Sequence, residues 1–307
     1  MNTKNFTFSS ATGVCQIDAS AYTPDDGAFD TILVIHHGMA EHRERYLGFI
    51  EYLCSNGVAV YMHDMANHGK SNTDYDLTGW FGEKDGYKGL VEDFREMVLE
   101  AKRQNPDKKI IVMGHSMGSF ICRLYTAWYP EDGFAGAIYM GTGGPNPAGG
   151  AGKVMASLIG ALKGKKHKSN TMNNLAFGSY GKRFEGRTAF DWLTRDTEIV
   201  DKYIEDPYCG YLFTVQGMKD LVIVNGESNT AGWFKAVPQD LPILVISGEL
   251  DPVGDYGKGI DAVCAKLEQT GHTAVTKKLY PECRHEVLNE LNKEEVMADV
   301  LQWIQSV

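Results

Sequence analysis

Lys109-Ile110-Ile111-Val112-Met113-Gly114-His115-Ser116-Met117-Gly118-Ser119 decides how the rest of the chain is to be understood. A β-branched apolar run of this length reads as a buried strand, and it ends in Gly-His-Ser-Met-Gly. After Ser116 the apolar residues fall at Met117, Phe120, Ile121, Leu124, Tyr125 and Trp128, three and four apart, as on one face of a helix. A strand that turns into a helix across Gly114-x-Ser116-x-Gly118 is a nucleophile-elbow pattern. The serine at such a bend sits in strained backbone, and the glycines leave room where a Cβ would meet a neighbouring strand or helix. The first turn of the following helix aims its N–H groups at the same point, which suits an oxygen that is to become negative.

Working outward, short apolar runs at Thr31–Ile35, Val58–Met62 and Phe134–Met140 alternate with helical patterns at Tyr46–Leu53 and Leu90–Ala101. Strand, helix, strand, helix is the order of a mostly parallel sheet covered on both faces. Residues 5–24 break at Ala11-Thr12-Gly13 and read as an N-terminal hairpin. The rhythm stops at Gly143-Gly144-Pro145 and resumes at Leu241–Ser247, with only a weak strand signal at Leu221-Val222-Ile223-Val224 between. Residues 1–143 and 238–307 are therefore expected to form an α/β core, with 144–237 inserted as a cap over the strand ends, where ligands of such sheets bind. Gly69-Lys70-Ser71 is no phosphate loop, because the earlier glycine it needs is Asp64. Asn292 and Glu295 have the spacing of a capping box for the last helix.

A nucleophilic serine needs a base and an acid. The strand after the insertion ends in Ser247-Gly248-Glu249-Leu250-Asp251-Pro252, and the next in Tyr280-Pro281-Glu282-Cys283-Arg284-His285. Both loops lie at carboxyl ends of strands, on the side of Ser116. The order Ser116, Asp251, His285 is that of the α/β-hydrolase triad. His285 is expected to take the serine proton, and Asp251 to hold the imidazole in the right tautomer. Glu249 is a rival acid, and Asp255 is either a second rival or the cap of the following helix. The oxyanion needs two converging N–H groups. One is expected from Met117 and the other from the loop His37-Gly38-Met39.

These motifs together resemble the monoacylglycerol lipase and lysophospholipase group. The likeness rests on His37-Gly38-Met39-Ala40-Glu41-His42 with Arg45-Tyr46, Gly114-His115-Ser116-Met117-Gly118, Asp251 and His285. The resemblance implies an α/β-hydrolase fold with Met39 and Met117 as the oxyanion donors. It implies a serine esterase acting on a lipid-like acyl ester, with an aminopeptidase or aryl esterase of the same superfamily as alternative. Ala40 stands where the group usually has glycine, and Ser119 where a second glycine often follows. The intact triad argues against a scaffold that has lost activity.

Composition sets outer bounds. A net charge of −10 over 307 residues disfavours a nucleic-acid partner. No run of about 18 apolar residues is present, the N-terminus lacks a signal-peptide core, and six scattered cysteines show neither metal spacing nor a disulfide framework, so a cytoplasmic setting is expected. No metal or organic cofactor is implied. His36, His63, His68 and His115 are read as structural hydrogen-bonders. Glu41, His42 and Arg45 either brace the oxyanion loop or form a solvated helical turn. Val154, Met155, Leu158, Ile159 and Leu162 are read as cap core rather than acyl contact. Cys283 is either inert or a site of thiol sensitivity. Residues 145–190 hold eight Lys and Arg against one acid. The tract Lys163, Lys165, Lys166 and Lys168 beside an apolar segment is either a solvated surface loop or the arrangement that rests on an anionic lipid surface.

Overall fold

The N-terminal hairpin is formed by β1 (Asn2–Ser9) and β2 (Gln16–Thr23), paired antiparallel, in a computed structural model that describes residues 1–307. The apolar runs become β3 (Thr31–His36), β4 (Val58–His63), β5 (Lys109–His115), β6 (Gly136–Met140) and β7 (Ile243–Gly248), and the more polar Val275–Tyr280 adds β8 at the edge. The strand order is β1-β2-β4-β3-β5-β6-β7-β8, parallel from β4 through β8, with β2 antiparallel to β4.

Alternation along the strands divides the interior into two layers. Ile32, Val34, Ile110 and Val112 point to one face, where they pack with α2 (Gly86–Gln104), α3 (Met117–Trp128) and α9 (Lys258–Gln269). Leu33, Ile35, Ile111 and Met113 point to the other, against α1 (Leu47–Ser55) and α10 (Lys293–Ser306). Strands flanked on both sides have no polar face to show, which is why they read as unbroken apolar runs.

The sheet reverses its direction of growth at β3. The chain goes from β3 to β4 on one side and returns to β5 on the other, so the loops leaving β3 and β5 diverge over a crevice. Ligands of open α/β sheets bind at such a switch point. The loop after β3 carries Met39, and the turn after β5 carries Ser116.

The chain between β6 and β7 forms five helices, α4 (Gly149–Lys163), α5 (Asn170–Phe177), α6 (Thr197–Glu205), α7 (Val215–Glu227) and α8 (Ala231–Ala236). Three expectations are corrected here. Leu221–Val224 is the middle of α7, capped by Thr214, whose hydroxyl accepts from Gly217 N. Of the five residues expected as cap core, Met155 and Ile159 pack against the core, but Val154, Leu158 and Leu162 do not: they are 61, 61 and 85 % exposed on α4, while Ala156 on the opposite face is buried. The box at α10 does not close either. Asn292 caps no amide with its side chain; its Oδ1 accepts from Arg195 and Cys283, and its Nδ2 donates to Glu295.

Candidate active site

Ser116 occupies the bend between β5 and α3 with φ +53° and ψ −123°, a conformation few L-residues adopt. The flanking glycines are required by contact. A Cβ on Gly118 would lie 2.3 Å from the carbonyl oxygens of both His36 and His37, and one on Gly114 would lie 2.1 Å from the Gly118 carbonyl. The bend is held by Ser116 N donating to Met140 O and by the Ser119 hydroxyl donating to Ser116 O. Ser119 thus has a task of its own at a position where the resembling group often has glycine.

Asp251 and His285 meet as their positions at neighbouring strand ends require. Asp251 is fully buried, and its Oδ1 accepts from His285 Nδ1 at 3.0 Å. The Ser247 hydroxyl and Val253 N donate to the same carboxylate at 2.7 and 2.8 Å. Burial pushes the carboxyl up, but the imidazole and these donors outweigh it and leave its pKa below the ordinary range. Glu249 and Asp255 are both exposed, and neither bonds to His285. Asp255 does not cap α9, whose N-terminus is at Gly257 with no side-chain cap. Ser116 and His285 line the same cavity floor, although the hydroxyl makes no hydrogen bond to the imidazole, a contact that commonly tightens only with substrate.

The loop His37–His42 is the most heavily braced part of the site. Ala40 has φ +51°, the left-handed region that explains why glycine is usual there. Glu41 folds back so that Oε1 accepts from Gly38 N at 2.7 Å, Tyr46 Oη at 3.0 Å and His115 Nδ1 at 3.1 Å, while Oε2 accepts from Arg45 at 2.6 Å. Arg45 also makes a two-pronged bond to Glu286, the residue after His285. Burial alone would raise the Glu41 pKa; the His115 hydrogen bond and the Arg45 charge hold it well below the usual range. His115 is the counterpart, depressed by burial but raised overall by Glu41. Glu41 and Arg45 therefore brace the loop, His42 is tied to Asp206 at 2.9 Å, and none of the three forms a solvated turn. Within this frame the Met39 amide has no acceptor in the protein. Met117 N is one of the amides that the first turn of a helix leaves free.

The other histidines divide. His36 Nδ1 bonds to His37 O, and His68 bonds to Ala66 O and Ala40 N. His63 corrects the expectation: neither ring nitrogen has a partner, and the ring packs edge-on against His36. Burial lowers the pKa of all three, His36 to about 3, so they stay neutral. Cys283 is buried, and its thiol is pushed up to about 11 by that burial, the inert alternative.

Sequence reasoning passed over Trp192. Its ring lies 5.1 Å from that of His285, and its carbonyl accepts from His285 N. Leu193 O accepts from Glu286 N, and Arg284 pairs with Glu185, so the 185–195 segment holds the histidine loop in place. The only signal was an aromatic cluster in the insertion, with nothing to say which ring would face the imidazole.

Above these groups is a cavity of about 1060 Å³, walled by Phe120, Met155, Phe177, Tyr180, Trp192 and Leu221 among others. The description Serine aminopeptidase, S33 (Hydrolase_4) matches residues 27–292. The chain belongs to that family. This S33 hydrolase is 30 % identical over 300 residues to a monoacylglycerol lipase of Mycolicibacterium smegmatis, covering 96 % of this chain and 94 % of the relative. It is 26 % identical over 286 residues to the monoglyceride lipase of Mus musculus, covering 92 and 85 %. Among solved structures, a highly thermostable carboxyl esterase from Bacillus coagulans in complex with glycerol superposes with a TM-score of 0.93 at 30 % identity, over 100 % of this chain and 99 % of that one. The α/β-hydrolase fold expected from the elbow is thus the fold of this S33 hydrolase, and none of its helices is long and apolar enough to cross a membrane.

Proposed function

We propose that this carboxylic-ester hydrolase cleaves a lipid-like acyl ester, a monoacylglycerol or lysophospholipid, through an acyl-enzyme on Ser116. His285 takes the Ser116 proton as Oγ attacks the ester carbonyl. The oxygen that becomes negative is received by Met39 N and Met117 N, and Asp251 offsets the charge gained by the imidazole. His285 then protonates the leaving alcohol. Water repeats the sequence on the acyl-enzyme and frees Ser116.

The observation that carries this reading is the lining of the cavity. No Asp or Glu from residues 144–237 faces it. Of the acids that do, all three come from the α/β core: Glu41 and Glu286 are both bound to Arg45, and Asp255 is on an exposed loop after β7. An aminopeptidase would need an acid from the 144–237 segment to hold the substrate ammonium. An apolar cavity with a polar floor suits a neutral acyl chain.

The same proposal extends to a lipid surface, with a changed set of residues. Lys168 donates to Tyr75 O and Thr78 Oγ1, Lys165 reaches Glu83, and Lys166 lies over the Trp80 ring, so these three tie the insertion to the 75–83 loop. The groups left to face lipid are exposed Val154, Leu158 and Leu162 of α4 with Lys153 and Lys163 beside them.

The test is a panel of p-nitrophenyl esters from short to long chains beside aminoacyl-naphthylamides, with fluorophosphonate labelling. Ester turnover lost in Ser116→Ala, with labelling of Ser116 only, supports the reading. Faster turnover of the amides, or labelling that persists in the mutant, overturns it. Leu158→Gln with Leu162→Gln should slow turnover of aggregated lipid but not of a soluble ester; equal loss on both removes the lipid-surface part.

A further inference from the structure

Outside the triad, one cluster of metal-type ligands joins the two parts of the site. His42 follows the oxyanion loop, and Asp206 and Cys209 follow α6 on one turn, with Cys209 N donating to Asp206 O. One ligand atom from each of the three lies within 4.8 Å of the other two. His42 Nε2 and Asp206 Oδ2 are 2.9 Å apart, and Cys209 is a free thiol in no disulfide. His42 and Cys209 are buried, while the Asp206 side chain is 30 % exposed and leaves a path from solvent. The nearest fixed cation, Arg45, is already matched by the two carboxylates of Glu41 and Glu286, so the surroundings do not repel a second cation.

We propose that His42, Asp206 and Cys209 form a binding site for a divalent transition-metal ion, Zn²⁺ by ligand type. Imidazole, carboxylate and thiolate are the donors Zn²⁺ selects, and three protein ligands leave a fourth position for water. A Cys-based site was not legible from cysteine spacing because His42 lies 164 residues from Asp206. The thiol proton leaves to solvent on binding.

The ion has a structural consequence. With metal–ligand bonds of about 2.0–2.2 Å, tetrahedral donors sit about 3.3 Å apart, so the 2.9 Å His42–Asp206 pair must open by about 0.4 Å. That movement is applied to the segment whose Ala40 carbonyl is held by Gly210 N and Tyr203 Oη, two residues of the same clamp. Met39 N is one residue further along. Displacement of an oxyanion donor by a fraction of an ångström weakens the transition state, so the ion is inhibitory. This catalytic consequence rests on the ester-hydrolase reading; binding of the ion does not.

The experiment titrates the full chain with ZnCl₂ by calorimetry and with CoCl₂ by absorbance. One ion per chain is expected, and the Co²⁺ form should show a thiolate-to-metal charge-transfer band. Cys209→Ala should lose the band and bind Zn²⁺ at least tenfold more weakly, with metal-free turnover retained. Zn²⁺ should lower kcat of the wild type at least tenfold with little change in KM, and Cys209→Ala should resist it. If Cys209→Ala fails to fold, Asp206→Asn, which keeps a hydrogen bond to His42, should weaken the ion by a similar factor. No stoichiometric binding overturns the proposal. So does equal binding and inhibition in wild type and both variants, which would put the ion elsewhere, for example on His285. A protein that binds the ion through Cys209 yet turns over no ester would leave the site standing and refute the ester reading instead.

Discussion

Replacing Asp251 by Asn probes the acid through its own surroundings. Oδ1 of Asp251 accepts from two N–H groups, those of His285 and Val253, whereas Oδ2 accepts from the Ser247 hydroxyl. In asparagine one of these atoms becomes an NH₂ that only donates. Facing His285 and Val253 it would meet two donors; facing Ser247 it meets a hydroxyl that can turn and accept. The amide therefore keeps its oxygen toward His285, and the imidazole keeps the tautomer that leaves Nε2 free for Ser116. In a protease triad the corresponding change loses that tautomer and about 10⁴ in kcat. Here the loss is confined to charge. A carboxylate and an imidazolium about 4 Å apart interact by about 4 kcal/mol at an effective dielectric of about 20, which is a factor of about 10³ in rate.

The assay is kcat on a soluble p-nitrophenyl ester, with a melting curve for each variant. Asp251→Asn should lose about 10³ in kcat, by the same Coulomb estimate, and melt near the wild type. Asp251→Ala leaves His285 Nδ1–H, Val253 N–H and Ser247 O–H without their acceptor, at about 1–3 kcal/mol for each unpaired buried group, so it should be slower still and melt lower. If Asn were as damaging as Ala, the amide would have turned its NH₂ to His285 and the argument from Ser247 would be wrong. A loss under tenfold would show that the charge of Asp251 does not reach the transition state.

Three further outcomes follow from the geometry. Met39→Ala should change kcat little, whereas Met39→Pro removes the N–H and should cost roughly 10²–10³; equal large losses in two folded variants would assign the effect to the side chain. Gly118→Ala places a methyl against two carbonyl oxygens, so it should lower the melting temperature and kcat together, and a normal melting curve would contradict the contact. Burial pushes Asp93 up to about 7 despite donors from Ser10 and Ala11. Because the folded state holds that proton more tightly than the unfolded chain, its contribution to stability falls as pH rises from about 4 to 7 and is level above. Asp93→Asn should therefore gain in melting temperature relative to wild type across that window, and a constant difference would refute the assignment.

Most of the sheet was legible because β3 to β7 are covered on both faces and spell that burial as unbroken apolar runs. The elbow was legible because Gly114 and Gly118 answer to steric demands only a few atoms away. What escaped depended on partners distant in sequence. Trp192 meets His285 across 93 residues, and Arg45 meets Glu286 across 241. Leu221–Val224 carries strand-like residue types, yet its neighbours α3 and α4 call for a helix, and packing overrides propensity. Val154, Leu158 and Leu162 have the spacing of a buried stripe, and spacing alone does not tell an apolar face that meets protein from one left uncovered. Asp251 could be preferred to Glu249 and Asp255 by its place beside Pro252, but the reason it prevails is contact with His285 and Ser247.

The sharing of Arg45 between Glu41 and Glu286 has a consequence for how this site can vary. Loss of the guanidinium would strand two buried carboxylates at once, and loss of Glu41 would strand Gly38 N, Tyr46 and His115 besides. Each single step is costly because the partners left behind are charged or polar and out of reach of water. In a random-mutagenesis library these positions should show the strongest epistasis of the chain, tolerated in combination more readily than one at a time. The oxyanion loop and the histidine loop, far apart in the gene, would then be inherited as one unit.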